Sequence, residues 1–233
     1  MKKLFIFIVQ FCLLVISSCV SSNKENKPVG GNYDENTMKS LVNPPKKTSF
    51  FLRRMIKIAD KKAKKEMLTG RVLSWSSKIA ISSGLLELYV EEGAATCLDE
   101  RMIKILRIKI SYTIPSPFAL DINSWNYENF NITEEEIKGL QDINKIDSIT
   151  SFSEKEKTAL KYAHELSKTP ISLNQKLLND LRRLFSEKEI VTIAALTAKV
   201  NYWARLIEAL RIKPAGYTDD PILQIDNYNT FNK

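Results

Sequence analysis

Three times along this chain a hydroxyl residue stands three positions ahead of a glutamate and opens an apolar-periodic run. The pairs are Thr133 and Glu136, Ser153 and Glu156, and Ser186 and Glu189. This is the capping-box pattern, in which each side chain satisfies an orphan backbone amide of the other at a helix N-terminus. The last run is the clearest, with Ile190, Ile193, Ala194, Val200, Trp203, Leu206, Ile207 and Leu210 at helical spacing before Pro214 and Gly216. No stretch sustains the period-two alternation of a half-buried strand, and seven glycines in 233 residues are few for a hairpin-rich fold. The chain is therefore predicted to be all-α.

Earlier segments fit the same reading. From Phe50 to Lys65, Phe51, Met55, Ile58 and Ala59 fall on one predicted helical face against Arg53, Arg54, Lys57 and Lys61. Gly70 is expected to interrupt. Val72 to Val90 reads as a second helix carrying Trp75, Ile79, Ile81, Leu85, Leu86 and Leu88, closed by Gly93. Leu98 to Ile110 reads as a third. The helical domain is placed at residues 49–215, with a loose C-terminal tail at 216–233.

The N-terminus has a different character. Lys2 and Lys3 precede an apolar run from Leu4 to Ile16, in which only Gln10 is polar. A basic start, a short apolar run and a small-residue end make a secretory signal, too short for a comfortable membrane span. Ile16-Ser17-Ser18-Cys19 resembles the lipobox of bacterial lipoproteins. That resemblance implies cleavage after a signal at 1–18, lipidation of Cys19 and a membrane anchor, with the outer membrane favoured by Val20 where the organism has one. Residues 19–48 then form a polar, lipidated spacer, with Gly30-Gly31 and Pro44-Pro45, that cannot bury enough apolar surface to order itself.

Three cysteines and one histidine exclude a good deal. A Cys/His zinc site and a disulfide framework are both out of reach, so no metal or cofactor is expected. Cleavage would remove Cys12 and leave Cys97 as the one unlipidated thiol. The formal charge is +8, falling to +6 once Lys2 and Lys3 are gone. The basic cluster from Arg53 through Lys65 is expected as a solvated face able to touch anionic headgroups. Nucleic acid is not an expected partner, because no stacking aromatics interleave with these cations.

From Met55 to Ala215 the chain resembles the alkylhydroperoxidase D-like (AhpD-like) / carboxymuconolactone decarboxylase family. Leu98-Asp99-Glu100-Arg101, Ile132-Thr133-Glu134-Glu135-Glu136, Phe152-Ser153-Glu154-Lys155-Glu156 with Tyr162-Ala163-His164-Glu165, and Asn201-Tyr202-Trp203-Ala204-Arg205 carry the resemblance in order. It implies an all-helical bundle that assembles into homo-oligomers. It also implies a C-x-x-C-x-x-x-H redox motif at a helix start, where a lowered thiol pKa and a second cysteine support disulfide chemistry. In this sequence the motif falls on Ser116 to Asn123. Ser116 and Ala119 stand for the cysteines, Asn123 for the histidine, and Lys104 for a glutamate twelve residues before the first cysteine. None of these replacements can take part in thiol redox chemistry.

Two functional readings follow. In the first, the domain has kept the fold, lost the redox site, and serves as a non-enzymatic binding or assembly module. In the second, it is an enzyme with altered chemistry in a polar Lys104/Ser116/Asn123 cleft. Ser116, between Pro115 and Pro117, is expected to cap a helix rather than act as a nucleophile with Lys104 as base. Asn123 is expected to bond within the helix packing. His164 is expected at a surface or interface, and Cys97 as a small buried filler.

Overall fold

The computed structural model describes residues 40–218 and Leu223. The expected signal, Cys19 and most of the expected spacer lie outside the described residues. Among those described, nine α-helices and two short 3-10 turns form and no strand does. The helices are α1 (Phe50–Ala63), α2 (Leu68–Leu73), α3 (Ser77–Ala95), α4 (Glu100–Thr113), α5 (Pro117–Ser124), α6 (Glu134–Gln141), α7 (Glu154–Ser167), α8 (Gln175–Leu184) and α9 (Glu187–Ala209).

All three capping boxes form, at the starts of α6, α7 and α9. Their glutamates also tie helices together. Arg101 of α4 pairs with both Glu136 and Glu156, and Lys155 of α7 pairs with Glu189 at 2.6 Å. Each of these carboxylates thus accepts from an N-terminal amide and from a neighbouring helix's cation. Helices α4 and α9 lie at the centre, α4 against α5, α6 and α7, and α9 against α3, α4 and α7. Ile105, Leu106, Ile108 and Ile110 of α4 are fully buried in the main core with Ile137, Leu160, Ile193 and Leu196. A smaller core joins Val72, Phe118, Ile207 and Ile212. Gly139 is required by close packing: a Cβ there would meet Ile149 Cγ1 at 2.7 Å.

Several sequence expectations are corrected. The helix expected from Val72 to Val90 is two helices, broken at Ser74–Ser76. The Ser74 hydroxyl bonds back to Arg71 O at 2.5 Å, and Ser76 caps the new start at Ile79 N. Gly70 does not interrupt a helix but lies inside α2, and Gly93 lies inside α3 rather than closing it. On α1 only Leu52 is buried; Ile58 and Ala59, expected on the packed face, are exposed. Helix α8 was not anticipated, although Asn174 caps it and Leu177 and Leu181 anchor it.

The described parts of both flanks are held by specific contacts, while residues 219–222 and 224–233 of the expected tail lie outside the described residues. In residues 40–48, expected as spacer, Leu41 N donates to Leu210 O at 2.7 Å and Asn43 O accepts from the Trp75 indole at 2.8 Å. The start of the expected tail is held by Asp121, whose Oδ1 accepts from Tyr217 N at 2.6 Å and Thr218 N at 2.9 Å. Tyr217 also stacks near Trp125, with ring centroids 5.2 Å apart, and Leu223 is buried in the main core.

Candidate functional site

Helix α4 ends as the chain approaches Pro115, since the residue before a proline avoids helical geometry. Ile114 is extended, Ser116 takes the N-cap position, and Pro117 opens α5. The Ser116 hydroxyl accepts from Ala119 N at 3.3 Å and donates to Glu208 Oε1 of α9 at 2.8 Å. Ser116 is fully buried. It is the cap that the flanking prolines imply, with its proton held by a carboxylate that the sequence reading did not foresee. Ala119 is packed nearby, and Phe118 fills the smaller core.

Seven residues on, Asn123 is buried and bonded on both sides of its amide. Its Nδ2 donates to Ser111 Oγ at 2.9 Å, and its Oδ1 accepts from Arg107 Nε at 2.9 Å. Arg107 and Ser111 lie one turn apart on α4, facing α5. The structure therefore brings Asn123 together with α4, as expected for a residue bonded inside the packing.

Arg107 extends this chain of contacts into a charged network. Its Nη1 lies 3.2 Å from Glu91 Oε2 on α3. Lys199 of α9, about 1% exposed, pairs with Glu91 and lies 3.2 Å from Glu87. The Trp203 indole donates to Glu87 Oε2 at 2.8 Å. Burial raises the Glu91 pKa, but Arg107 and Lys199 more than offset that and hold the carboxyl below its ordinary value. Burial and the nearby Arg107 lower the Lys199 pKa against the pull of its two carboxylates. Two cations and two carboxylates thus neutralise one another between α3, α4 and α9.

Lys104 lies one turn before Arg107 but does not join Ser116 or Asn123. Its Nζ donates to Trp125 O at 2.7 Å and sits 5.0 Å from the centre of the Phe130 ring. Burial and repulsion from Arg107 lower its pKa to about 8. Of the three side chains that the second reading would place in one polar cleft, Lys104 bonds Trp125 O, Ser116 bonds Glu208, and Asn123 bonds Arg107 and Ser111.

A second polar cluster sits at the other end of α4. Lys109, about 1% exposed, donates to Leu140 O at 3.0 Å, and burial lowers its pKa to about 8. His164 of α7 is half-buried, with Nδ1 3.0 Å from Thr113 Oγ1. Burial and the nearby Lys109 push its pKa down to about 4, so it is neutral near pH 7. Cys97 is half-buried against the core, with Sγ 3.4 Å from Thr192 Oγ1. Among the described residues no group of three or more His, Cys, Asp or Glu side chains is arranged to hold a metal ion.

The sequence reading missed Glu87, Glu91, Arg107 and Lys199. One local signal was available: Lys199 stands between Leu196, Val200 and Trp203 on an apolar helix. A lysine in such a position is rarely buried without a carboxylate partner.

No family model matches the chain, and no curated protein sequence does. Solved structures do. The debrominase Bmp8, a cysteine-to-alanine variant in complex with 2,3,4-tribromopyrrole, superposes with a TM-score of 0.65 at 15% identity, covering 76% of this chain and 92% of its own. An uncharacterized peroxidase-related protein from Ralstonia eutropha JMP134, with an alkylhydroperoxidase AhpD core, gives 0.62 at 13% identity over 80% of this chain and 95% of its own. A peroxidase-related protein from Silicibacter sp. TM1040 gives 0.65 at 12% identity over 83% of this chain and 96% of its own. These likenesses establish architecture, since one fold hosts many chemistries. The chain has the AhpD-like helical fold.

Proposed function

We propose that this chain is a lipid-anchored envelope protein whose AhpD-like domain is a binding or assembly module without redox activity. One observation carries the reading: the positions where the fold's relatives are expected to hold thiols and a histidine are occupied by Ser116, Ala119 and Asn123, and both polar side chains are fully engaged within the protein. A hydroxyl that caps a helix and donates to Glu208 has no thiolate chemistry, and an amide bonded on both sides relays no proton.

Dithiol-dependent peroxide consumption by the purified chain is the test. The expected rate equals that of the Ser116→Ala variant and of protein-free buffer. Consumption above both controls overturns the reading. The anchor is tested separately by mass spectrometry of membrane-extracted protein. A lipid-modified N-terminal peptide beginning at Cys19 is expected, and an unmodified one contradicts it.

Self-association completes the proposal. Helix α3 exposes Ile79, Leu86 and Tyr89 along one side, and an apolar helix face of this kind suits a second copy. Sedimentation is expected to show an oligomer; monomer alone contradicts this part.

One observation favours the second reading, an enzyme of altered chemistry. The Ser116 hydroxyl lies against a carboxylate, as a nucleophile's would lie against its base. Covalent labelling of Ser116 by a fluorophosphonate probe would support it, and absence of labelling is the expected result.

A further inference from the structure

The basic face of α1 has no partner within the described residues. Arg53, Arg54, Lys57 and Lys61 are all exposed, and none forms an ion pair or side-chain hydrogen bond among the described residues. Helical spacing puts the four within one arc, and Phe50 falls inside that arc. Phe50 is 74% exposed, and Ile58, on its flank, is 62% exposed. Two residues hold α1 to the domain: Leu52, on the opposite side, is buried, and Asp60, at the edge of the arc beside Arg53, bonds Arg71 and Met67 N. A solvated face would expose the cations, but it would not set large apolar side chains among them.

The chain path adds a second, independent observation. Residues 40–48 lead directly into α1, and they lie beside Trp75, whose indole is bonded to Asn43 O although 61% of the residue is exposed. Thr48 and Ser74 touch at 3.3 Å, so the exposed Trp75 and Phe50 belong to the same end of the domain. Residues 40–48 therefore run along the end of the domain that shows both cations and aromatic rings.

We propose that α1 docks on an anionic lipid surface, with its four cations at the phosphate headgroups and Phe50, Ile58 and Trp75 at the acyl boundary. Cations on one face supply long-range attraction, and aromatic and aliphatic side chains among them supply the contact that salt does not screen. Trp75 suits this role because its indole has an apolar body and a polar edge. The location rests on the lipid-anchored reading; the surface itself can be tested without the anchor.

The experiment uses the chain from residue 20, made without lipid. Both hydrophobic cores and the side chains packed against them lie within residues 42 to 223, so removing residues 1–19 takes no residue from them. Its partitioning is measured on phosphatidylcholine vesicles with and without roughly a third phosphatidylglycerol. Binding is expected only with phosphatidylglycerol, and it weakens as salt rises. Replacing Arg53, Arg54, Lys57 and Lys61 together by Gln, a good helix former, is expected to weaken partitioning by about 100-fold or more. The Phe50→Ser/Ile58→Ser variant is expected to lose the binding that persists in high salt. Equal partitioning to neutral vesicles, no partitioning at all, or an unaffected Gln variant overturns the proposal. So does binding of RNA or heparin that matches vesicle binding and is indifferent to Phe50→Ser/Ile58→Ser. Failure of lipidation at Cys19 leaves this result untouched, so the two readings fail separately.

Discussion

Lys199 and Lys109 are equally buried, at about 1% exposure each, yet the protein treats them in opposite ways. Lys199 sits between α3 and α9 with Glu87 and Glu91 around its ammonium and Arg107 completing a neutral set. Lys109 sits between α4 and α6 with one carbonyl oxygen, Leu140 O, and depresses the pKa of His164 nearby. Taking a charge out of water is costly, and only a well-placed opposite charge offsets it. The Lys199 region is therefore a compensated scaffold, joined to Asn123 through Arg107. The Lys109 region is a burial that only the longer-range attraction of Asp142 offsets, and the core around it sustains it.

The largest effect that can break this comparison is Lys199→Met. It leaves Glu87 and Glu91 with Arg107 alone. Because those carboxylates are partly exposed, the loss is expected at the lower end for a broken buried pair, about 3 kcal/mol, read by urea unfolding. A variant as stable as the parent contradicts the compensation.

The next effect is a pH dependence seated in the other region. His164 has a folded pKa of about 4 against an ordinary value of 6.5. Between those values the unfolded chain binds the proton and the folded chain does not, so stability falls as pH drops from 6.5 towards 4. The loss between pH 7 and pH 5 is about 2 kcal/mol, from the His164 shift alone. His164→Gln is expected to flatten that slope; an unchanged slope assigns it elsewhere.

Lys109→Met is expected to do the reverse of Lys199→Met. It removes a buried charge that has only the longer-range attraction of Asp142 and keeps the volume, for a gain of about 1 kcal/mol or no change. It is also expected to raise the His164 pKa, followed by NMR titration of the imidazole, because Lys109 is one of the groups holding it down. Destabilisation comparable to that of Lys199→Met would erase the contrast between the two regions.

The same contrast explains what could be read from the sequence. Helix starts were legible because capping is local: Ser153 and Glu156 are three positions apart and need nothing else. The break at Ser74–Ser76 was not, since it uses serine hydroxyls rather than a proline or glycine, and Ser76 has Ile79 where a capping box would have glutamate. Ser116 as a cap was legible from its flanking prolines. Glu208 as its partner was not, being 92 positions away. The pairing of Lys199 with Glu87 spans 112 positions, and no spacing rule on one helix reveals it. The hold on the start of the tail was not legible, because composition describes polarity, whereas Asp121 holds the backbone amides of Tyr217 and Thr218 whatever their side chains.

Ser116, Ala119 and Asn123 are proposed as scaffold rather than a redox site. Peroxide consumption with a dithiol donor, run side by side on the parent and on a Lys104→Glu/Ser116→Cys/Ala119→Cys/Asn123→His variant, tests that proposal most directly. The parent is expected to stay at the buffer rate, and any turnover to appear only in the variant carrying the thiol pair. A parent that consumes peroxide as fast as that variant would contradict it.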